Sequence, residues 1–324
     1  MSLFSNYTAI IKNTFELKTK KTSFWIGVTI ALLAAIFASS INIVGKMLVD
    51  PSYGYVEDAI HPLNLAIFLG LISGLFFTPF AKGKKSPKKF GKKALILVIM
   101  LGVIDVLAIT TNFFGLHHTT AVNATILINT ELLFTIIIAF TVFRERIQKR
   151  ETIPMGLIAV GAIILPLIID IGKNGTFDSG FILGDFMIIL AAGFFALDIS
   201  IARYVSNILP ATRISQISAF AGIPFALLLM LIFQIPFEIP FEQMGSIIYM
   251  GIFVSGLSYF FFVIALRLIG AIRTVLIYST TTVFGILFSG FFLGEQVTIL
   301  NIFSIVIISL GVYLLRDKFA RLES

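Results

Sequence analysis

The stretch "NTELLFTII" (residues 129–137) sets a carboxylate where water is scarce. Glu131 is the only charge between Ala124 and Phe143, and no residue of opposite sign lies within a helical turn of it. Ionisable groups inside hydrocarbon are costly, so they face a cavity, pair with one another or carry protons. A second acid, Asp105 in "GVIDVLAITTN", occupies a comparable setting. On a helix, Glu131 lies roughly 18 Å from one end of its apolar run and Asp105 roughly 16 Å from the opposite end of the preceding run. Both therefore reach the middle of a membrane. Asn112, seven residues after Asp105, shares its face. The chemistry this suggests is proton exchange or capture of a cationic group. The alternative is a neutral acid hydrogen-bonded to a neighbouring helix.

Further polar residues interrupt the other apolar runs. Ser39, Asn42 and Lys46 follow at spacings of three and four and form one helical stripe. In a cavity they would offer donors to an anionic or carboxylate group; otherwise Lys46 snorkels to the interface. Asp198 lies closer to the inner interface than to the midplane, and Asp185 sits one turn into its helix, where it would favour the helix N-terminus. Near mid-depth, Ser255 and Tyr259, with Tyr278, Thr281 and Thr282, make a neutral hydrogen-bonding surface for an amino acid or organic solute, or glue between helices. The substrate and proton candidates are thus Glu131, Asp105, Asn42, Lys46, Asn112, Asp198, Tyr259, Tyr278 and Thr281. His61, His117 and His118 all fall at outer ends and define no metal site. The chain holds no phosphate-cradling Walker loop, GxGxxG after a strand, HExxH or GxSxG. Neither an enzyme nor a cofactor is expected.

The elements that must carry these residues are helices in lipid. Of 324 residues, 58% are hydrophobic and 13% charged, about half the charge of a soluble domain. Ten apolar runs, at about 24–48, 62–80, 94–116, 119–143, 153–171, 181–203, 213–235, 246–267, 271–293 and 298–315, match the length needed to span a bilayer. The first run begins at Phe24 and is full length, so it reads as a span rather than a cleavable signal. With both termini in the cytoplasm, 22 of the 24 basic residues lie inside, leaving Lys46 and Lys173 outside. The tract "KGKKSPKKFGKK" then anchors topology beside anionic lipid, and no nucleic-acid partner is expected. Cysteine is absent.

The chain also repeats itself. A shift of 150 residues aligns "FFGLHHTTAVNA" (113–124) with "VIALRLIGAIRT" (263–274), Phe134 with Phe284 and Glu145 with Glu295. A shift of 157 aligns "LAAIF" (33–37) with "LAAGF" (190–194), and Lys46 with Arg203. Two halves of five spans each must enter the membrane from opposite sides, the inverted-repeat plan of secondary transporters, with a site near the midplane.

These segments resemble EamA-type carriers of the drug/metabolite transporter superfamily. "LINTELLFTIIIAFTVFRERI" (127–147) and "IYSTTTVFGILFSGFFLGEQV" (277–297) are similar to the family's fourth and ninth helices. "GDFMIILAAGFFALDISIAR" (184–203) and "YFFFVIALRLIGAIRT" (259–274) are similar to its sixth and eighth-to-ninth segments. The family often has proline where this chain has Leu132 and Thr282, and glycine where it has Arg144, so the usual cause of a kink is missing here. The resemblance implies an all-α integral membrane protein, with ten transmembrane helices in two inverted five-helix repeats around a central cavity. The expected layout is a cytoplasmic segment 1–23, repeats at 24–171 and 181–315, and a cytoplasmic tail 316–324. The expected function is secondary transport of a small polar or amphipathic metabolite, an amino-acid-like solute or an organic cation or zwitterion. Its direction is outward across the cell membrane, with protons as the candidate coupling ion; a homodimer is compatible with this reading. The rivals are a sugar-phosphate or nucleotide-sugar exchanger and a cation channel. Glu145 and Glu295 match the family's helix-ending glutamate and are expected to order turns rather than touch substrate.

Overall fold

Apolar runs without a soluble core have one stable form in lipid, the hydrogen-bonded helix. A computed structural model of the chain describes residues 2–81, 91–142, 149–164, 179–206, 209–238, 241–269, 274 and 277–321, and their regular structure is helical. The first half contributes α1 (Ser2–Val49), α2 (Pro62–Ala81), α3 (Lys92–His118), α4 (Ala121–Leu127), α5 (Thr130–Thr141) and α6 (Lys149–Ala159). The second contributes α7 (Ser179–Ser206), α8 (Ala211–Phe233), α9 (Met244–Tyr249), α10 (Ser258–Ile269), α11 (Thr281–Phe292) and α12 (Ile299–Arg321). A π-helical stretch, Met250–Leu257, joins α9 to α10, and another, Val160–Ile164, extends α6. Among the described residues, seven helical segments are long and apolar enough to cross a membrane, and three more are shorter and apolar. The chain is an integral membrane protein. Its large apolar side chains accordingly point outward as well as inward: Phe291 is 82% exposed and Leu231 78%, as expected when the surrounding solvent is hydrocarbon.

The first helix begins at Ser2 and runs through the span expected from Phe24, so the segment before that span is helical too. Of the run 153–171, only the portion through Ile164 lies within the described residues. The lysine tract from 82 to 90, Arg144, Glu145, Lys173 and Arg273 lie outside them. The run 119–143 is two helices, α4 and α5, rather than one.

The packing has a pattern. Helix α3 lies along α7, and α1 lies along α10; α5 meets α7, and α1 meets α11; α3 meets α8, and α2 meets the π stretch before α10. The pairs α2 with α8, α4 with α11 and α6 with α12 also pack together. Exchanging the two halves of the chain maps these pairings onto themselves, whereas the contacts of α3 with α1 and α2 have no counterpart of similar extent among the described residues.

Close approach of the helices depends on glycine at two crossings. A Cβ on Gly115 would stand 2.8 Å from the Gly184 carbonyl oxygen, and one on Gly184 would stand 2.9 Å from the Gly115 oxygen. Gly102 and Gly222 meet in the same reciprocal way between α3 and α8. With little hydrophobic drive between helices in lipid, such backbone contact supplies the packing.

Candidate functional site

Position 131 sits at a break. Between α4 and α5 the chain makes a tight turn at Ile128 and Asn129, where Glu131 N–H donates to Ile128 O (3.0 Å) and Leu132 N–H to Asn129 O (3.1 Å). These are three-residue rather than four-residue spacings, the tightened form of a helix. No proline is involved. The Asn129 amide instead donates both its hydrogens backwards, to Thr125 O and Ile126 O at 3.0 Å each. Thr130 Oγ1 donates to Leu127 O (2.8 Å). The side chains thus serve carbonyls that the broken helix leaves open.

The same turn recurs 150 residues later. Thr280 Oγ1 donates to Ile277 O (2.6 Å), and Thr282 N–H donates to Ser279 O (3.3 Å). The repeat shift places Asn129 on Ser279 and Glu131 on Thr281. The two turns are linked, because Thr282 Oγ1 donates to Asn129 Oδ1 (3.2 Å).

A cavity of about 350 Å³ opens beside these turns. Glu131, Asn129 and Thr125 line it from α4 and α5, and Tyr278, Ser279 and Thr281 from the second turn. Asn42 and Ser39 reach it from α1, Asn112 from α3, and Val254 and Ser255 from the π stretch. Asn42 and Asn112 are both buried. They form a chain in which Asn112 Nδ2 donates to Asn42 Oδ1 (3.5 Å) and Asn42 Nδ2 donates to Thr125 Oγ1 (3.2 Å).

Five of the nine residues singled out in the sequence therefore converge on the cavity: Glu131, Asn42, Asn112, Tyr278 and Thr281. Asp105, Asp198 and Tyr259 do not line it, but they are close. Asp198 lies within electrostatic reach of both Asp105 and Glu131, and Tyr259 hydrogen-bonds Ser215 beside Asp198. The carboxyls of α3, α5 and α7 thus form one acidic cluster flanking the cavity. Thr125, Asn129, Ser279 and Phe195 complete the lining without having been singled out. The pairing of Asn129 with Ser279 under the repeat shift was the available signal. Among the described residues, no group of three or more His, Asp or Glu is arranged to hold a metal ion.

Lys46, the ninth, has another task. Its ammonium is buried where α1 and α3 end and donates to the carbonyls of Leu116 (2.7 Å), Thr119 (2.8 Å) and His117 (3.3 Å). Asp50 Oδ2 pairs with it at 2.7 Å. Lys46 closes the C-terminus of α3, where a cation complements the helix dipole. It neither snorkels nor lines the cavity. Around it, Thr119 Oγ1 donates to Asp185 Oδ1 (2.6 Å), which ties α7 to the same end. Glu295 accepts from Ala121 N–H and Val122 N–H (2.8 Å each) at the start of α4, and from Tyr53 Oη (2.8 Å). Glu295 thus orders a helix end, and it does so across the two halves. Burial and the neighbouring Glu295 carboxylate push the Tyr53 phenol above its ordinary range, keeping it a donor.

The Lys46–Asp50 pair makes a prediction. Burial pushes the Asp50 carboxyl up, but hydrogen bonds from Lys46 and Ser52 outweigh it and hold the group below its ordinary value. Lys46→Met would leave three carbonyls without a donor and Asp50 without its counter-charge, at a cost of about 3 kcal/mol. The thermal midpoint in detergent should fall by several degrees at pH 7, with Lys46→Arg recovering part of the loss. A lowered folded pKa stabilises above the unfolded value of about 4, and that contribution is lost as pH falls through the folded value. The gap between wild-type and Lys46→Met midpoints should therefore narrow in acid, leaving the part that comes from the three carbonyls.

Broken helices paired across two halves, packed around a buried polar cavity in a membrane protein, define a transporter. The comparisons agree. A profile of the EamA-like transporter family matches residues 25–166 and again residues 182–316, so the chain belongs to that family. An uncharacterized transporter of Methanothermobacter thermautotrophicus is 28% identical over 275 residues, covering 79% of this chain and 78% of that one. One from Clostridium kluyveri is 25% identical, covering 88% and 91%. A solved crystal structure superposes with a TM-score of 0.61 at 15% identity, over 92% of this chain and 99% of that one, a likeness of fold.

Proposed function

We propose that the protein is a secondary carrier that exports a small polar or amphipathic organic metabolite through the cavity at the two helix breaks. Ten helices in two inverted five-helix repeats, 24–171 and 181–315, would alternate access to it, with both termini on the cytoplasmic side of the cell membrane. The observation that carries this reading is the recurrence of one tight turn at Asn129 and again at Ser279, joined by the Thr282–Asn129 hydrogen bond beside the cavity. The exchange symmetry of the helix pairings supports the inverted repeat, and the charge distribution supports the orientation. A sugar-phosphate substrate is disfavoured because no lining residue is basic among those described. The acidic cluster of Glu131, Asp105 and Asp198 supports proton coupling.

Vesicles containing the purified protein and loaded with a soluble metabolite extract should show saturable counterflow of particular solutes, read by mass spectrometry. Ala38→Trp fills the cavity without removing a polar group and should reduce that flux to the level of empty vesicles. Non-saturable leak in place of counterflow would indicate a channel. Flux that survives the tryptophan would overturn the assignment of the site.

Topology is tested separately. The chain lacks cysteine, so cysteines introduced singly at Glu57 and at Ser86 are sole thiols. An impermeant reagent applied to intact cells should label the first and spare the second. Equal labelling would remove the ten-span arrangement and the inverted repeat with it.

A further inference from the structure

The hydrogen-bonding sense of the cavity wall specifies the solute further than its size does. Each polar side chain has a fixed number of hydrogens to give, and in this wall most are already given to the protein. Ser39 Oγ donates to Ile36 O (2.7 Å), and Thr281 Oγ1 donates to Tyr278 O. Thr282 donates to Asn129 Oδ1, while both amide hydrogens of Asn129 go to backbone carbonyls. Asn42 and Asn112 each give one amide hydrogen, to Thr125 Oγ1 and Asn42 Oδ1, and each keeps the other. Ser255 carries a hydroxyl that can turn either way.

Beside the hydrogens left on Asn42, Asn112, Thr125 and Ser255, the wall presents acceptors that nothing fills. Asn112 is 3% exposed, and its Oδ1 has no hydrogen-bond partner among the described residues. A buried acceptor in that state is costly unless something fills it. No side-chain hydrogen bond or ion pair joins Glu131 to another described residue, and Glu131 lines the same cavity. The hydroxyl oxygens of Ser39 and Thr281 keep their lone pairs after donating elsewhere. A carboxylate or phosphate entering here would find no basic side chain among the lining residues described, and would stand against the Glu131 carboxylate.

We propose, building on the carrier reading, that the solute is a small organic ammonium cation without a carboxylate, its N–H groups received by Glu131 and Asn112 Oδ1. Its apolar part rests on Ile128, Leu132, Phe195 and Val254. At about 350 Å³ the cavity lies near the lower end of the roughly 300–1,000 Å³ typical of small-molecule sites, which suits a single aromatic or short aliphatic amine.

The test uses three probes that share one phenylethyl frame: 2-phenylethylamine, phenylalanine and 3-phenylpropanoate. Binding of each to the full chain in lipid nanodiscs at pH 7 is measured by calorimetry. The amine should bind, phenylalanine should bind at least tenfold more weakly, and the acid should give no signal. Asn112→Leu should weaken the amine about tenfold. Asn112→Asp, which keeps the shape and adds charge, should tighten it relative to phenylalanine; this variant decides the matter if the leucine protein does not fold. No amine binding, phenylalanine or the acid binding as tightly as the amine, or an amine-to-phenylalanine ratio unmoved by Asn112→Asp each overturns the proposal. The counterflow experiment with Ala38→Trp judges the carrier reading whichever probe binds. A selective carrier for another class of solute would thus separate the two failures.

Discussion

Glu131→Gln is expected to abolish pH-driven accumulation of solute, at least tenfold and down to the level of vesicles without protein, while solute exchange at equal pH persists with weakened affinity. The substitution keeps the shape of the side chain and removes its titration together with its charge. The groups that bear on Glu131 are Asp198 from α7, Asp105 beyond it on α3, and the Tyr278 hydroxyl. No basic residue shares the cavity lining among those described. Neighbouring like charges disfavour one another's ionisation. A proton taken up or released by the cluster therefore changes the charge that faces the solute. In a cycle of the proposed kind, solute and proton would alternate at Glu131. Asp105→Asn, which removes one member of the cluster without touching the cavity wall, should displace the pH optimum and preserve accumulation. The assay is uptake into vesicles with and without an imposed pH gradient. Full gradient-driven accumulation by Glu131→Gln would make Glu131 a neutral strut and leave coupling to another ion.

How much of this was legible in the residues varies with the physics involved. Helix content and membrane residence follow from apolar runs and charge spacing, which are local. Counting the helical rise put Glu131 at mid-membrane, and the structure sets it on the cavity. The height of the cavity along each helix was not legible. Asp105 shares a face of α3 with Asn112, which lines the cavity, but stands about 10 Å away along the axis, and so lies beside the wall rather than in it. Lys46 shared a stripe with Ser39 and Asn42, yet its task depends on where α3 ends, a tertiary fact that α1 does not carry. The break at Ile128 and Asn129 was hidden for another reason. Leu132 and Thr282 occupy the places where proline would have announced a kink, and the turn is made by amide and hydroxyl side chains reaching backwards. Such residues also occur in unbroken membrane helices. Only their recurrence 150 residues apart distinguishes them here.

Gly102→Leu should yield no folded protein. A side chain at position 102 would run into the Ser218 carbonyl and stand 2.7 Å from the Gly222 backbone nitrogen, and a Cβ at Gly222 would meet the Gly102 oxygen at 2.8 Å. Every one of these obstacles is backbone, so no rotamer change can relieve the contact; α3 and α8 must move apart. Overpacking in a core that can adjust costs about 1–3 kcal/mol, and a rigid crossing exceeds that range. Separation would also strip the packing from Val106 and Ala226, buried on either side of the crossing. Because α3 lies along α7 as well, the displacement would reach Asn112 and the cavity. The expected result is loss of the monodisperse peak in size-exclusion chromatography, with Gly102→Ala retaining a reduced fraction. Gly245→Leu serves as the control, because nothing lies within 4 Å of a Cβ at that exposed position. Its peak should match that of the wild type. A monodisperse, thermally unchanged Gly102→Leu protein would mean that α3 and α8 do not cross at their glycines. The cavity built on that crossing would then need a different geometry.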